Sequence, residues 1–297
     1  MADVGPLDFR EFVRVREHPF PDGGRASAVP YAYGSDHTTR MAFDQLAPVE
    51  AAVAAAVRVS RAFGRSQLLG QAVKVGPRQF PRVHGIATEC AGVLGIAPPT
   101  VYIVNSPVMN AATFGTNDDS FIMVHSALVD HFSDDELRSV IGHECGHIHN
   151  KHVVYLTAMS SLARIAGLVF SWVIYPAQAA LMGWLRRAEI TCDRASLLCS
   201  KSLDVSTRAL TKLALGSSKL YDQLDMDAFL EQYEEAKSGI GGVAEINASH
   251  PFLPKRVLAL RVFAESALYR RHAGLGEGGL SIDEVDERVH EIIRVVG

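Results

Sequence analysis

Cysteine is scarce in this chain, and the few present are badly spaced for a metal cluster. Cys90, Cys145, Cys192 and Cys199 are the only four among 297 residues, and none forms a CxxC pair. That argues against a cysteine zinc site and for free thiols in a reducing compartment. Concentrated charge is missing too. Lys and Arg total 29 against 33 Asp and Glu, and the net charge is −4. The basic residues are scattered, so neither nucleic acid nor an anionic lipid surface is an expected partner. The N-terminal stretch MADVGPLDFREFVRVREHPFPDGG lacks the basic start and apolar run of a secretory signal, and a cytoplasmic setting is the expectation. What the chain does have is a 48% hydrophobic content, enough to bury a sizeable core.

Residues 1–46 are rich in Pro, Gly and polar side chains and read as an irregular arm. From Pro48 to Val75 the Ala-rich sequence reads as helix, and a second helix is expected from Phe80 to Leu94, ending at Gly95. Thr100–Val104 and Ser120–Val124 are short β-prone runs. The segment between them is full of turn formers and reads as loop. Ser133 with Glu136 three residues on is a capping-box signature. It starts a helix whose apolar stripe is Leu137, Val140, Ile141 and Ile148. Further helices are expected over 186–200, 204–215, 227–237 and from Pro254 to Tyr269. Ser281 with Glu284 opens a last amphipathic helix, 281–297. No internal repeat is present. The fold class is α+β, mostly helical with a small sheet.

His143-Glu144-Cys145-Gly146-His147 is an HExxH pattern. Four residues along an α-helix is close to one turn, so both imidazoles project from one face. Two neutral imidazoles so placed can hold one Zn2+ ion per chain, and Glu144 can then reach a metal-bound water and take its proton. A catalytic zinc needs a third protein ligand and an open position. No HExxHxxGxxH extension follows, so that ligand comes from elsewhere. Glu189 is the best candidate, because Asp193 lies four residues on, on the same helical face, where a carboxylate can accept from a ligand imidazole's far nitrogen. The competing reading is an ordinary i,i+4 acidic pair on a solvated helix. His149 and His152 read as structural.

HECGH followed by EITCD resembles the HExxH…ExxxD pattern of the zinc metallopeptidases that include HtpX and the CAAX prenyl endopeptidases. Ala97–Gly115, the run FIMVHSALVDHFSDDELRSVIGHECGHI and Ser249–Leu260 resemble segments of that family in the same order, over about residues 75–262. The resemblance implies His143, His147 and Glu189 as metal ligands and Glu144 as catalytic base. It implies a minimal gluzincin core within a zinc peptidase domain, residues 47–272: a small sheet over the HExxH helix, whose edge strand receives an extended peptide. Asn110 and Ala111 would bind substrate near the end of the cleft, His250 would assist the oxyanion as a second catalytic residue, and Arg256 would be an orienting partner. His250 and Arg256 equally suit a plain helix start. Cys145 and the ITC between Glu189 and Asp193 depart from the family's usual residues, and Cys145 and Cys192 would pack as small hydrophobes between the two helices.

One uncharged run, IAGLVFSWVIYPAQAALMGWL (165–185), is long enough to cross a bilayer. A single crossing would strand Glu189 on the opposite side from the histidines. Two crossings need about 40 apolar residues, more than the stretch 153–185 provides. A helical hairpin bent near Pro176 is expected instead, either buried or resting on a membrane surface or partner. The function expected is therefore a zinc-dependent endopeptidase acting on a peptide or protein substrate. The alternatives are a zinc-stabilised, non-catalytic module that binds peptides or docks on a membrane surface, and a latent protease whose arm covers the cleft.

Overall fold

The computed structural model describes residues 29–43, 70–116, 119–157, 171–237 and 251–294. Among these, four strands form one mixed sheet in the order β1-β2-β4-β3: β1 Ala72–Lys74, β2 Thr100–Val104, β3 Ala111–Gly115 and β4 Ser120–His125. β2 and β4 run parallel, and β1 and β3 pair antiparallel at the two edges. Successive side chains alternate between faces, so Val101, Ile122 and Val124 enter the core while Tyr102 and Phe121 meet edge to face on the other side.

The helices used below are α1 Gly34–Phe43, α2 Pro81–Leu94, α3 Asp134–His149, α4 Ser171–Ser200, α5 Leu203–Leu215, α6 Leu253–Ala264 and α7 Ile282–Ile293. α3 begins with a complete capping box. Ser133 Oγ accepts from Glu136 N–H and Glu136 accepts from Ser133 N–H, which stabilises a helix start by about 1 kcal/mol. Glu136 also receives Lys212 Nζ from α5 at 2.9 Å. The start of the HExxH helix is thus tied to the next layer.

α3 and α4 pack against each other unusually closely, and two glycines permit it. A Cβ added at Gly142 would lie 2.6 Å from Cys199 Cβ, and one at Gly146 would lie 2.8 Å from Ala195 Cβ. Gly146 is the glycine inside HECGH, so the motif's spacing carries a packing requirement besides its chemistry. Cys145 and Cys192 are fully buried in this region, and all four cysteines are free.

Several sequence expectations need correction. Within the stretch expected as an irregular arm, residues 34–43 are helical, with Asp36 in the first turn and Arg40 in the last complementing the helix dipole. The tail of the expected 48–75 helix, Ala72–Lys74, is a strand, because its backbone pairs with β2. Ala111–Gly115 is a strand rather than loop, held by its register with β4. The helix expected from Pro254 to Tyr269 stops at Ala264, and Ser266 caps a separate one, Ala267–His272. α4 runs through Pro176 without the expected turn there, although a proline removes one backbone hydrogen bond and crowds the carbonyl four residues back. Of the apolar run 165–185, residues 165–170 lie outside the described residues, while Leu181, Trp184 and Leu185 are buried in the protein. No helix among the described residues is long and apolar enough to cross a membrane.

Candidate metal centre

α3 presents His143 and His147 with ring centroids 5.0 Å apart, as a one-turn spacing requires. α4 brings Glu189 across from them. Its Oε2 is 3.5 Å from His143 Nε2 and its Oε1 is 3.6 Å from His147 Nε2. The distant glutamate and the two motif histidines therefore meet. Glu189 is 2% exposed, so the solvated-helix reading of that acidic pair is ruled out.

The surrounding groups orient this trio. His143 Nδ1 is 3.1 Å from Asp193 Oδ1, so with the ring's proton on Nδ1 its Nε2 lone pair faces Glu189. Arg256, from α6, donates Nη2 to Asp193 Oδ1 at 2.6 Å and Nε to Asp193 Oδ2 at 2.8 Å. The same Nη2 lies 3.0 Å from Glu189 Oε2. Burial alone would raise the pKa of Asp193, but the Arg256 guanidinium and His143 together outweigh it and hold the carboxyl below its usual value. Burial would also lower His143, yet Glu189 and Asp193 together raise it to about 10. Burial lowers the pKa of His147, with Glu189 opposing the shift only in part.

Glu144 points toward the sheet. Thr113 Oγ1, on the edge strand β3, donates to Glu144 Oε2 at 2.6 Å. Strand and motif helix are thereby joined through the Glu144 carboxylate. Gly115 N–H and C=O are bound by Thr157 Oγ1 at 3.1 and 2.9 Å, which closes the far end of the edge. The cleft between β3 and the helices has a volume of about 530 Å³, and His143, Glu144, His147, Glu189 and Arg256 all line it. Asn110 and Ala111 line it at the β3 end, and Leu210, Leu213 and Leu253 supply apolar wall opposite.

The donor chemistry fits a divalent ion that accepts imidazole and carboxylate ligands. Two Nε2 atoms and a carboxylate converge, and Asp193 fixes the far nitrogen of one imidazole. A second grouping competes. Cys192 offers a sulfur within 4.8 Å of a ring nitrogen of each histidine. That sulfur lies behind the imidazoles, 3.6 Å from His152 Nδ1, and Cys192 is absent from the cleft wall. Burial also pushes its thiol well up, which disfavours the thiolate a metal needs. Glu189 is the better third donor on both counts.

His250 lies outside the described residues. Arg256 ties α4's carboxylates together instead of merely starting a helix. Sequence reasoning missed Thr113, since a short strand of small residues carries no catalytic signal. The reading of His152 as structural did not foresee that its ring nitrogen Nδ1 lies 3.2 Å from His147 Nδ1; a position three residues past the helix end gives no warning of that contact. His149 is held by the Tyr31 hydroxyl at 3.0 Å, away from the site.

Comparison with known proteins places this geometry. Residues 77–264 match the model of Peptidase family M48. The chain is 36% identical over 214 residues to the plastoglobule-localized metallopeptidase 48 of the Arabidopsis thaliana chloroplast, covering 68% of this chain and 62% of that protein. It is 25% identical over 232 residues to a protease HtpX homolog of Moorella thermoacetica, covering 67% of this chain and 78% of the other. An HtpX homolog of Caldanaerobacter subterraneus is 36% identical over 101 residues, a third of this chain. No solved structure matches the chain. With nearly two-thirds of its length on the family model and the motif helix, glutamate helix and edge strand assembled around one cleft, this chain belongs to peptidase family M48, a family of metallopeptidases.

Proposed function

We propose that the chain hydrolyses peptide bonds as a zinc-dependent endopeptidase, with His143, His147 and Glu189 holding one zinc ion and Glu144 as the general base. One observation carries this reading. Both imidazole Nε2 atoms meet the Glu189 carboxylate on the wall of the same cleft that Glu144 lines. A purely structural metal site has no use for a carboxylate aimed into an open cleft beside it.

When bound, the ion polarises the scissile carbonyl and acidifies the attacking water. Glu144 receives the water's proton and passes it to the leaving amine. Thr113 holds the Glu144 carboxylate in place for both transfers. Asp193 keeps the His143 proton on Nδ1, and Arg256 keeps Asp193 ionised and ties it to Glu189. β3 is an edge strand, and positions 111 and 113 share the parity of Gly115, whose backbone groups face outward. An extended peptide pairs with those positions by main-chain hydrogen bonds. Its side chains then meet the apolar wall from α5 and α6.

Glu144→Gln tests the assignment. The variant is expected to keep about one zinc per chain and to lose peptide cleavage by at least about a hundredfold, since general acid–base catalysis contributes roughly 10²–10⁴-fold. Near wild-type cleavage by this variant would refute the role of Glu144, and a wild-type chain that takes up no zinc would refute the metal site.

A further inference from the structure

The two histidines of the motif are held from behind in different ways. His143 leans on a carboxylate of the neighbouring helix. His147 leans on another histidine. His147 Nδ1 lies 3.2 Å from His152 Nδ1, and His152 Nε2 lies 3.1 Å from Asp36 Oδ2. Asp36 also accepts from Trp184 Nε1 at 2.8 Å and from Thr191 Oγ1 at 2.6 Å. Asp36 and His152 are 2% and 1% exposed, so this chain of contacts is sealed from solvent. Asp36 sits on α1, in the stretch expected to be an irregular arm. None of the described arm residues, 29–43, lines the cleft. The described part of the arm is a strap behind the motif helix and does not cover the site.

We propose that Asp36, acting through His152, is a positioning residue that fixes the His147 tautomer required for metal binding. The proposal rests on the reading of His147 as a ligand. The proton order follows from the donor and acceptor inventory. A metal on His147 Nε2 requires the ring's proton on Nδ1. That proton is donated to His152 Nδ1, which must then be bare. His152 therefore carries its own proton on Nε2, directed at Asp36. The reversed order would turn a bare His152 Nε2 toward an ionised carboxylate, which repels it. Asp36 is itself held in the acceptor role, because Trp184 N–H can only donate.

Asp36→Asn keeps the volume and reverses the instruction. The amide oxygen must stay on Trp184, so the NH2 faces His152 and Thr191. Thr191 can turn to accept it, but His152 must then offer a bare Nε2. Its proton moves to Nδ1 and His147 loses the tautomer that binds metal. The expected result is a 10- to 100-fold weaker zinc affinity by chelator competition, the range for loss of a group behind a ligand. In a Trp184→Phe background the amide is free to turn its oxygen to His152, and the Asp36→Asn penalty should shrink, an outcome that a merely structural role does not give. Nitrogen-15 spectra of histidine in the zinc-loaded wild type provide a readout independent of any variant: His152 should be protonated on Nε2 and bare on Nδ1. A proton on His152 Nδ1, or zinc affinity of Asp36→Asn within twofold of wild type, would overturn the proposal while leaving the metal site intact. Failure of the wild type to bind zinc would instead remove the metal site on which the proposal stands.

Discussion

Replacing Gly146 with alanine sets two effects of known size against each other. Inside a helix the change gains up to about 1 kcal/mol of propensity. The new Cβ, however, would stand 2.8 Å from Ala195 Cβ and 3.1 Å from Cys192 Cα. Neither atom can rotate aside, so α3 and α4 must separate, and overpacking of this kind costs about 1–3 kcal/mol. Gly85, inside α2, is the control, since an added Cβ there meets nothing within 4 Å. The propensity gain is common to both, so Gly85→Ala should exceed Gly146→Ala in stability by about 1–3 kcal/mol. At about 2–4 °C per kcal/mol for a chain approaching this size, the unfolding midpoints of the zinc-free proteins should differ by roughly 2–12 °C. Glu189 rides on α4 less than one turn before Cys192, so Gly146→Ala should also weaken zinc binding while Gly85→Ala should not. Equal midpoints together with equal zinc affinities would show that the two helices do not touch as closely as described.

Two further outcomes follow from the charges and the cysteines. Arg256→Met leaves Asp193 and Glu189 facing only His143, and breaking a buried ion pair costs about 3–5 kcal/mol. The zinc-free variant should melt well below wild type, and zinc should raise its midpoint by more than it raises the wild type's, because the ion replaces the lost positive charge. A variant that melts with the wild type would deny the ion-pair role. All four thiols are buried, and burial pushes those of Cys145 and Cys192 well up. The native chain should therefore resist an aromatic disulfide reagent until it unfolds, whereupon all four should react. Rapid reaction of any one in the folded protein would contradict the packing of α3 against α4.

The parts of the site readable in the sequence were those governed by one helical turn. His143, His147 and Glu144 follow from spacing, and Ser133 with Glu136 announced the helix start. Glu189 and Asp193 were readable only as a pair on one face; nothing in their spacing says which histidine they meet. Residues whose roles depend on contacts far apart in the chain were not legible. Asp36 and His152 are 116 positions apart and touch only because α1 packs behind α4. Thr113 reaches Glu144 because β3 pairs with β4, and that pairing overrode a local sequence of small residues and turn formers. Pro176 misled because helix propensity is a local quantity, while α4 is a single thirty-residue helix whose described side chains from Leu181 onward are largely buried.

X-ray absorption at the zinc edge of the loaded wild-type chain tests the central claim most directly. Ligation by His143, His147 and Glu189 predicts a shell of light atoms only, at about 2.0–2.2 Å. A sulfur scatterer at about 2.3 Å would put Cys192 on the metal in place of Glu189 and contradict the account.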